Sequence, residues 1–338
     1  MSFLKRTVLF FLMTSVLTIH AQDGIETLLS SGLEDTNQFL KDYTQPSSEA
    51  LIYSLANGWY NTAKVKKLGK FEISVIAGVS QIDDESTFFS LDENEYNSFR
   101  FETGSSIQNV GTIFGENNPP INMEIEEAGT VIASVTLPQG LGSENLEYFP
   151  NIMLQGSLGL PFSTELKLRF LPEIETDDVS TQFYGAGLQH EFTNSIPGLK
   201  TLPIAVSGFV GYNKLKSDYR FSTQSTAITA SNQSISTDVD SWHYAVLIST
   251  KLPILNFYGS IGAVTGTANN QLKGEYIINT GVSEVEGTTI IDPIQFETAV
   301  DGMRATLGTK LSLAFFRLNI DYSFQKFNTL NAGINFGI

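Results

Sequence analysis

Side chains that could carry acid–base or metal chemistry are sparse in this chain. Histidine occurs only at His20, His190 and His243, and cysteine does not occur at all. His190 and His243 have no cysteine and no second histidine at the spacing of a metal site. No phosphate-binding glycine loop, dinucleotide fingerprint or Gly-x-Ser-x-Gly elbow is present. We therefore expect no catalytic residue, no metal ion and no cofactor.

Acidic side chains form clusters in segments that read as loops or strand ends. Examples are Asp83–Glu85, Asp92–Glu95 and Glu173–Asp178. Oxygen-rich loops can bind calcium, but none of these has the spaced acids and central glycine of an EF-hand. We interpret them as solvated loop charge, with a calcium site as the alternative.

A different set of charges lies on segments in which apolar and polar residues alternate. A period of two places each kind on its own face of a strand. If the apolar face meets lipid, the charged residues point inward; they are Lys167, Arg169, Arg304, Lys310, Arg317, Asp321 and Glu72. An interior rich in positive charge could hold an anionic or amphipathic solute. Alternatively, these charges pair with one another and with acids of the N-terminal segment, and simply fill a narrow lumen.

The last 28 residues show the alternation most clearly. Two strands are predicted between Leu311 and Ile338, each with one apolar and one polar face. A strand that stays apolar to its last residue suits a transmembrane β-barrel, in which one face meets lipid and the other a wet lumen. The final strand should pair with the first, near Phe71–Gly78, because closure removes both sheet edges.

The rest of the chain after Gly69 is predicted to be strand and loop. Further strand candidates lie near Phe99, Met123, Ile132, Met153, Tyr184, Val206, Ser222, Gly259, Tyr276 and Phe296. Short turns alternate with long polar stretches, as in barrels with short periplasmic turns and long external loops. We predict an all-β, transmembrane antiparallel β-barrel of about 12–14 strands over residues 68–338.

The N-terminus resembles a secretory signal. Lys5 and Arg6 precede the apolar run Thr7–Thr18, and Ala21 supplies a small residue before a cleavage site. We therefore expect residues 1–21 to be a cleaved signal peptide. The apolar run is shorter than the about 20 residues that a transmembrane helix needs.

Residues 22–67 are expected to form a helical plug inside the barrel or a cap on its mouth. Two short helices are predicted, over Glu34–Tyr43 and Ser47–Leu55, separated by Pro46. Their apolar side needs cover, which a lumen or rim supplies. The candidate plug residues are Phe39, Leu40, Leu51, Leu55 and Trp59.

The charge balance limits the partners. Beyond residue 21 the chain has 18 basic and 36 acidic residues. Nucleic-acid binding needs a basic surface, so we exclude it. Outer-membrane lipid, and the barrel assembly machinery during biogenesis, are the expected partners.

The stretch Gly58–Ala63, with the sequence GWYNTA, resembles an uncharacterised family of Gram-negative outer-membrane β-barrels. In that family a short helical segment leads into this patch and then into the first long strand, here Phe71–Gly78. The plan of a helical segment followed by many strands is also similar to that of the long-chain fatty acid outer-membrane transporters. This likeness is architectural and implies no catalytic residues.

The sequence favours a passive outer-membrane channel or transporter for small solutes, hydrophobic or anionic. The alternative is a structural or surface-interaction barrel that acts through long acidic external loops. A barrel enzyme is disfavoured because neither His190 nor His243 is followed two residues later by serine, as in outer-membrane phospholipase. A soluble, secreted β-sandwich is the remaining rival.

Overall fold

A computed structural model describes residues 28–29, 32–144, 147–176, 178–193, 195–221, 228–278 and 289–337. The proposed signal peptide lies outside the described residues. Helix α1 (Leu33–Leu55) comes first and is followed by strands. The strands are β1 (Phe71–Gln81), β2 (Phe88–Asp92), β3 (Phe99–Phe101), β4 (Ile107–Gly111), β5 (Asn122–Glu127), β6 (Thr130–Thr136), β7 (Tyr148–Leu160), β8 (Thr164–Glu175), β9 (Val179–Glu191), β10 (Ile204–Arg220), β11 (Ile228–Thr250), β12 (Leu255–Ile278), β13 (Thr289–Ile291), β14 (Ile294–Leu313), β15 (Phe316–Phe324) and β16 (Thr329–Gly337).

Ten strands close into an antiparallel barrel, which confirms the predicted fold class. The order around the wall is β1, β7, β8, β9, β10, β11, β12, β14, β15 and β16. The last strand pairs with the first, with Glu72 opposite Gly337 and Ser80 opposite Thr329. This seam was expected from the sequence, and it removes the free edges of the sheet.

The wall has fewer strands than the twelve to fourteen expected. The candidates near Phe99, Met123 and Ile132 form a small separate sheet, β3–β5–β6, outside the wall. The candidates at Gly259 and Tyr276 lie on one strand, because β12 is 24 residues long. Alternation alone does not show whether a strand belongs to the main sheet or whether two strand-like stretches are continuous.

The N-terminal segment forms one helix rather than the two predicted. Pro46 lies inside α1 and removes one backbone hydrogen bond, a change that costs about 3 kcal/mol in a helix interior. Packing outweighs this cost because residues on both sides of Pro46 are buried, among them Phe39, Tyr43 and Ile52. No helix among the described residues is long and apolar enough to cross a membrane.

A band of exposed apolar side chains surrounds the barrel. On β1 the outward residues run from Phe71 to Val79, and on β16 from Leu330 to Phe336. Nine residues from Phe71 to Val79 match the about 9–11 residues with which a tilted strand crosses a bilayer. Exposed aromatic side chains mark the two margins of the band: Tyr148, Tyr184 and Trp242 at one margin, and Phe71, Phe162, Phe257 and Phe336 at the other.

The two ends of the barrel differ. The turn between β7 and β8 (residues 161–163) and the turn between β14 and β15 (residues 314–315) lie at the end where β1 begins. The long connection between β1 and β7 lies at the other end. Since outer-membrane barrels have their long connections on the external side, we call these the inner and outer ends.

The connection between β1 and β7 folds into what we call the headpiece, the described residues between 82 and 147. It contains the sheet β2–β4 and the sheet β3–β5–β6. The headpiece packs on the first half of α1: the Phe39 ring lies 6.0 Å from that of Phe89, and the amide of Ile113 donates to the carbonyl of Tyr43 over 2.9 Å. Burial raises the pKa of Tyr43 well above its usual range.

Candidate functional site in the barrel lumen

The chain passes through the barrel before it begins the wall. The second half of α1 enters at the outer end, where Asn270 donates to the hydroxyl of Ser48 over 3.0 Å and Ser241 donates to the carbonyl of Ile52 over 2.9 Å. Residues 56–67, which we call the lumenal segment, continue to the inner end. The lumen is therefore occupied along its length by the chain's own residues.

The inward and outward faces exchange character partway up the wall. On the inner half of β14 the inward residues include Arg304 and Lys310, whereas Ile294 and Phe296 point inward nearer the outer end. The outward face changes in the opposite sense: the apolar Met303 lies nearer the inner end and the charged Glu297 lies nearer the outer end. Strands β8 to β12 follow the same rule. The lumen thus has a polar lower chamber at membrane depth and an apolar upper chamber above the lipid band.

Ion pairs fasten the inner end of the lumenal segment to the wall. The Lys66 ammonium lies 3.0 Å from Glu165 and 3.3 Å from Glu72. Glu165 also pairs with Lys167 at 2.7 Å, and Glu72 pairs with Arg317 at 2.8 Å. These carboxylates are almost fully buried, and a buried charge is stable only when it is paired and hydrogen-bonded.

Arg169 holds the end of α1. Its guanidinium donates to the carbonyls of Leu55, at 2.9 Å, and Asn57, at 2.6 Å, and to the side chain of Gln155, at 3.0 Å. It also lies 3.8 Å from the centre of the Trp59 ring, in cation–π contact. The last carbonyls of a helix lack intrahelical partners. Arg169 supplies a hydrogen bond to one of them, the carbonyl of Leu55.

Several other lumenal polar groups are hydrogen-bonded within the protein. The Tyr60 hydroxyl lies 3.1 Å from His243 Nε2 and 2.7 Å from the Ser260 hydroxyl. Asp321 accepts from Tyr258 at 2.8 Å and from Asn331 at 2.9 Å. Two lumenal cations have neutral partners: Lys310 donates to Asn61 at 2.8 Å, and Arg304 donates to Ser323 at 2.8 Å.

The GWYNTA stretch of the lumenal segment packs closely against the wall. Gly58 has a φ of +67°, and a Cβ there would lie 2.6 Å from a methyl group of Ile76. Thr62 lies 3.1 Å from the Ser249 hydroxyl, and the buried Ala63 donates its amide to the same hydroxyl over 3.0 Å. The motif therefore seats the segment in this barrel.

An apolar cavity of about 170 Å³ lies in the upper chamber, between α1 and the wall. We call it the upper cavity. Leu40, Leu51 and Leu55 form its helical side, and the wall side includes Phe183 and Leu215. Further apolar residues of the wall side are Phe149, Met153, Leu171, Ile235, Leu272, Ile294 and Phe296.

The structure places all seven inward candidates in the lower chamber, with the contacts described above. The acids of the N-terminal segment do not supply the partners of these cations. Asp35 accepts from the amides of Asn97 and Ser98 in the headpiece, and Glu49 pairs with Lys326. The carboxylates in the lower chamber come from the wall.

The five plug candidates separate into three places. Leu40, Leu51 and Leu55 line the upper cavity, Trp59 lies in the lower chamber, and Phe39 packs on the headpiece. Phe39 lies outside the lumen because α1 is long enough to extend beyond the outer rim. The upper cavity was not expected from the sequence; its signal was the change from Arg169 to Leu171 among the inward positions of β8.

Two acidic loop clusters cap short helical turns. Asp83 accepts from the amide of Ser86 at 2.9 Å, and Asp92 accepts from that of Asn94 at 3.0 Å. No group of three or more metal-binding side chains is assembled within the described parts of the chain.

The closed wall, lipid-facing band and aromatic margins define a transmembrane β-barrel of the outer-membrane type. The chain belongs to the family described as "Family of unknown function (DUF6588)", whose model matches residues 1–338. No curated protein matches the chain.

Several solved structures are similar to this chain, with low TM-scores. The translocator domain of the autotransporter NalP from Neisseria meningitidis is 9% identical, with a TM-score of 0.30 over 95% of this chain and 99% of that chain. Ail, the attachment invasion locus protein of Yersinia pestis, is 9% identical, with a TM-score of 0.24 over 80% and 96%. The transport unit of the autotransporter AIDA-I from Escherichia coli is 7% identical, with a TM-score of 0.27 over 86% and 97%.

Proposed function

We propose that this protein is an outer-membrane transporter that binds a small apolar solute in the upper cavity and is closed at rest by the lumenal segment. The observation that carries the proposal is an apolar cavity directly above a polar chamber filled by residues 56–67. A cavity lined by apolar side chains and a few polar groups is the usual form of a small-molecule site. Passage would require the lumenal segment to leave the lower chamber.

The cavity is tested by filling it. Ser217 lines the cavity on β10, and Ser217→Trp would place an indole in it. We expect the fluorescent apolar probe N-phenyl-1-naphthylamine to bind the refolded wild type and to bind this variant at least tenfold more weakly. The matched control is Ser236→Trp, because Ser236 lies on the outward face of the neighbouring strand, opposite Asp218. Equal binding by the two variants would refute the site.

The gate is tested by locking it. The chain contains no cysteine, so a pair introduced at Thr62 and Ser249, whose hydroxyl oxygens lie 3.1 Å apart, forms a defined cross-link. We expect oxidation of Thr62→Cys/Ser249→Cys to abolish probe flux into liposomes and reduction to restore it. The single variant Thr62→Cys controls for the substitution. Flux that is unchanged by the cross-link would show that solutes pass without movement of the lumenal segment.

The headpiece favours a second candidate, a surface-interaction barrel. Between residues 82 and 147 the sequence has thirteen acidic residues and one arginine, so this region carries most of the chain's net negative charge. A basic partner would be attracted by this negative charge, and its binding would weaken steeply as the salt concentration rises. Salt-dependent binding of a basic protein such as lysozyme, lost after Asp and Glu are changed to Asn and Gln in 82–95, would support this candidate.

A further inference from the structure

We infer that the ligand of the upper cavity is a neutral, largely apolar molecule with one hydroxyl or carbonyl group, and that Asn151 binds that group. This inference rests on the proposed function, because it specifies the chemical class of the solute. It departs from the expectation of an anionic ligand drawn from the lumenal lysines and arginines.

The first support is the charge of the lining. Among the described residues that line the upper cavity, none is acidic or basic. Arg169 lies below it and contacts the sulfur of Met153, a lining residue. Its guanidinium is occupied by the carbonyls of Leu55 and Asn57. An anion entering the cavity would lose its hydration without gaining a cation, so its binding is disfavoured.

The second support is an unused amide. Asn151 lines the cavity from β7, and neither its Oδ1 nor its Nδ2 has a hydrogen-bond partner in the described structure. An unpartnered buried amide is costly, so native structures keep one mainly where a ligand or water completes it. The amide offers a donor and an acceptor side by side, which suits a hydroxyl or a carbonyl.

The groups around Asn151 leave its amide without a hydrogen bond in the described structure. Its side chain lies over Gly78 of β1, where a Cβ would lie 2.9 Å from Asn151 Oδ1. Glycine therefore leaves the space that the amide occupies. On the other side of Gly78, the Asn331 amide donates one N–H to Asp321 at 2.9 Å and makes no hydrogen bond to Asn151 in the described structure.

Most other polar groups of the lining are bonded within the protein. Thr181 pairs with Ser217 at 2.9 Å, and Asn270 donates to Ser48 at 3.0 Å. Thr44 donates to the carbonyl of Leu40 at 2.7 Å. Asn151 therefore differs from these groups, because it lines the cavity with both polar atoms of its amide unpartnered.

The test uses three probes with one ring system: naphthalene, 2-naphthol and 2-naphthoate. They differ in having no polar group, a neutral hydroxyl or an anionic carboxylate. Binding to the refolded full-length protein is measured by fluorescence, and the Ser217→Trp variant supplies the correction for partition into detergent. We expect 2-naphthol to bind about threefold to tenfold more tightly than naphthalene, from the net worth of one hydrogen bond. We expect 2-naphthoate to bind most weakly.

Asn151→Leu should remove the preference for 2-naphthol and leave naphthalene binding unchanged or stronger. Asn269→Leu is the control, since this outward residue of β12 loses the same amide outside the cavity. A wild-type preference for 2-naphthoate, or a preference for 2-naphthol that survives Asn151→Leu, would overturn the inference while the proposed function stands. Failure of all three probes to bind the wild type would overturn both.

Discussion

Arg169→Met should loosen the lumenal segment. Arg169 on the wall joins the end of α1, through the carbonyl of Leu55, to the lumenal segment, through the carbonyl of Asn57 and the ring of Trp59. Methionine keeps most of the length and apolar volume of the side chain but loses every donor. The change therefore tests the fastening of the segment more directly than a truncation to alanine would.

The size of the effect follows from the contacts. A hydrogen bond from a charged donor is worth about 1.5–3 kcal/mol, so the carbonyls of Leu55 and Asn57 give about 3–6 kcal/mol, and the Trp59 contact adds to this. The fully buried guanidinium regains hydration when the segment leaves, which offsets part of the sum. We take the lower end, about 3 kcal/mol, which favours the released state about 100-fold.

Two measurements report that release. Hydrogen exchange of the amides in residues 56–67 should be about 100-fold faster in Arg169→Met, since exchange there requires the segment to leave the wall. In planar bilayers, open events should become more frequent by a similar factor. Both are read on the full-length protein refolded in detergent or lipid.

The control is Arg220→Met. Arg220 is exposed near the outer end and pairs with Glu175 at 3.1 Å. Surface ion pairs contribute about 0–1 kcal/mol, so exchange in residues 56–67 should match that of the wild type. If Arg169→Met also exchanged at the wild-type rate, the lumenal segment would not be held by this contact, and the reasoning would be refuted.

Three further outcomes are expected. Gly58→Ala should lower the free energy of unfolding by about 2–4 kcal/mol, through its positive φ and the methyl of Ile76, whereas Gly69→Ala, with φ +75° and no close neighbour, should lose only about 1–2 kcal/mol; urea titration in detergent compares them. Val246→Arg, in the middle of the lipid band, should lower the free energy of unfolding by about 2–4 kcal/mol, and Ser236→Arg, nearer the outer end, by about 0–1 kcal/mol. Urea unfolding in lipid vesicles measures both, and equal losses would show that the lipid band is assigned to the wrong part of β11. Because the folded pKa of Tyr43 lies above its unfolded value of about 10, headpiece stability should hold below pH 10 and fall as pH rises above it; hydrogen exchange should show this dependence weakened in Tyr43→Phe.

The parts of the fold at membrane depth could be predicted from the sequence. In β1 and β16 lipid and lumen impose opposite demands on the two faces, and the residues alternate without interruption. The same logic identified the inward charges, such as Lys167 and Arg304. Its success depends on a single fixed environment on each side of the strand.

The upper chamber could not be predicted in that way. Above the lipid band the outer face of β10 meets water, so Lys214 and Lys216 point outward and Leu215 points inward. Apolar and polar residues go on alternating across the boundary, but the apolar residues now point inward and the polar residues outward. A period-2 pattern does not show at which residue this change occurs. The continuity of α1 through Pro46 was hidden for a related reason, since it depends on tertiary packing rather than on local preference.

The passage of the chain through its own barrel bears on how the protein is made. The seam between β1 and β16 joins the first strand of the wall to the last, so it can form only when the final nine residues are in place. The residues of α1 and the lumenal segment come earlier in the chain and have partners on strands all around the wall. We expect the wall to close around them, with no stage at which it surrounds an empty aqueous pore. Folding of this barrel would then resemble that of a soluble protein, in which the sheet and its core assemble together.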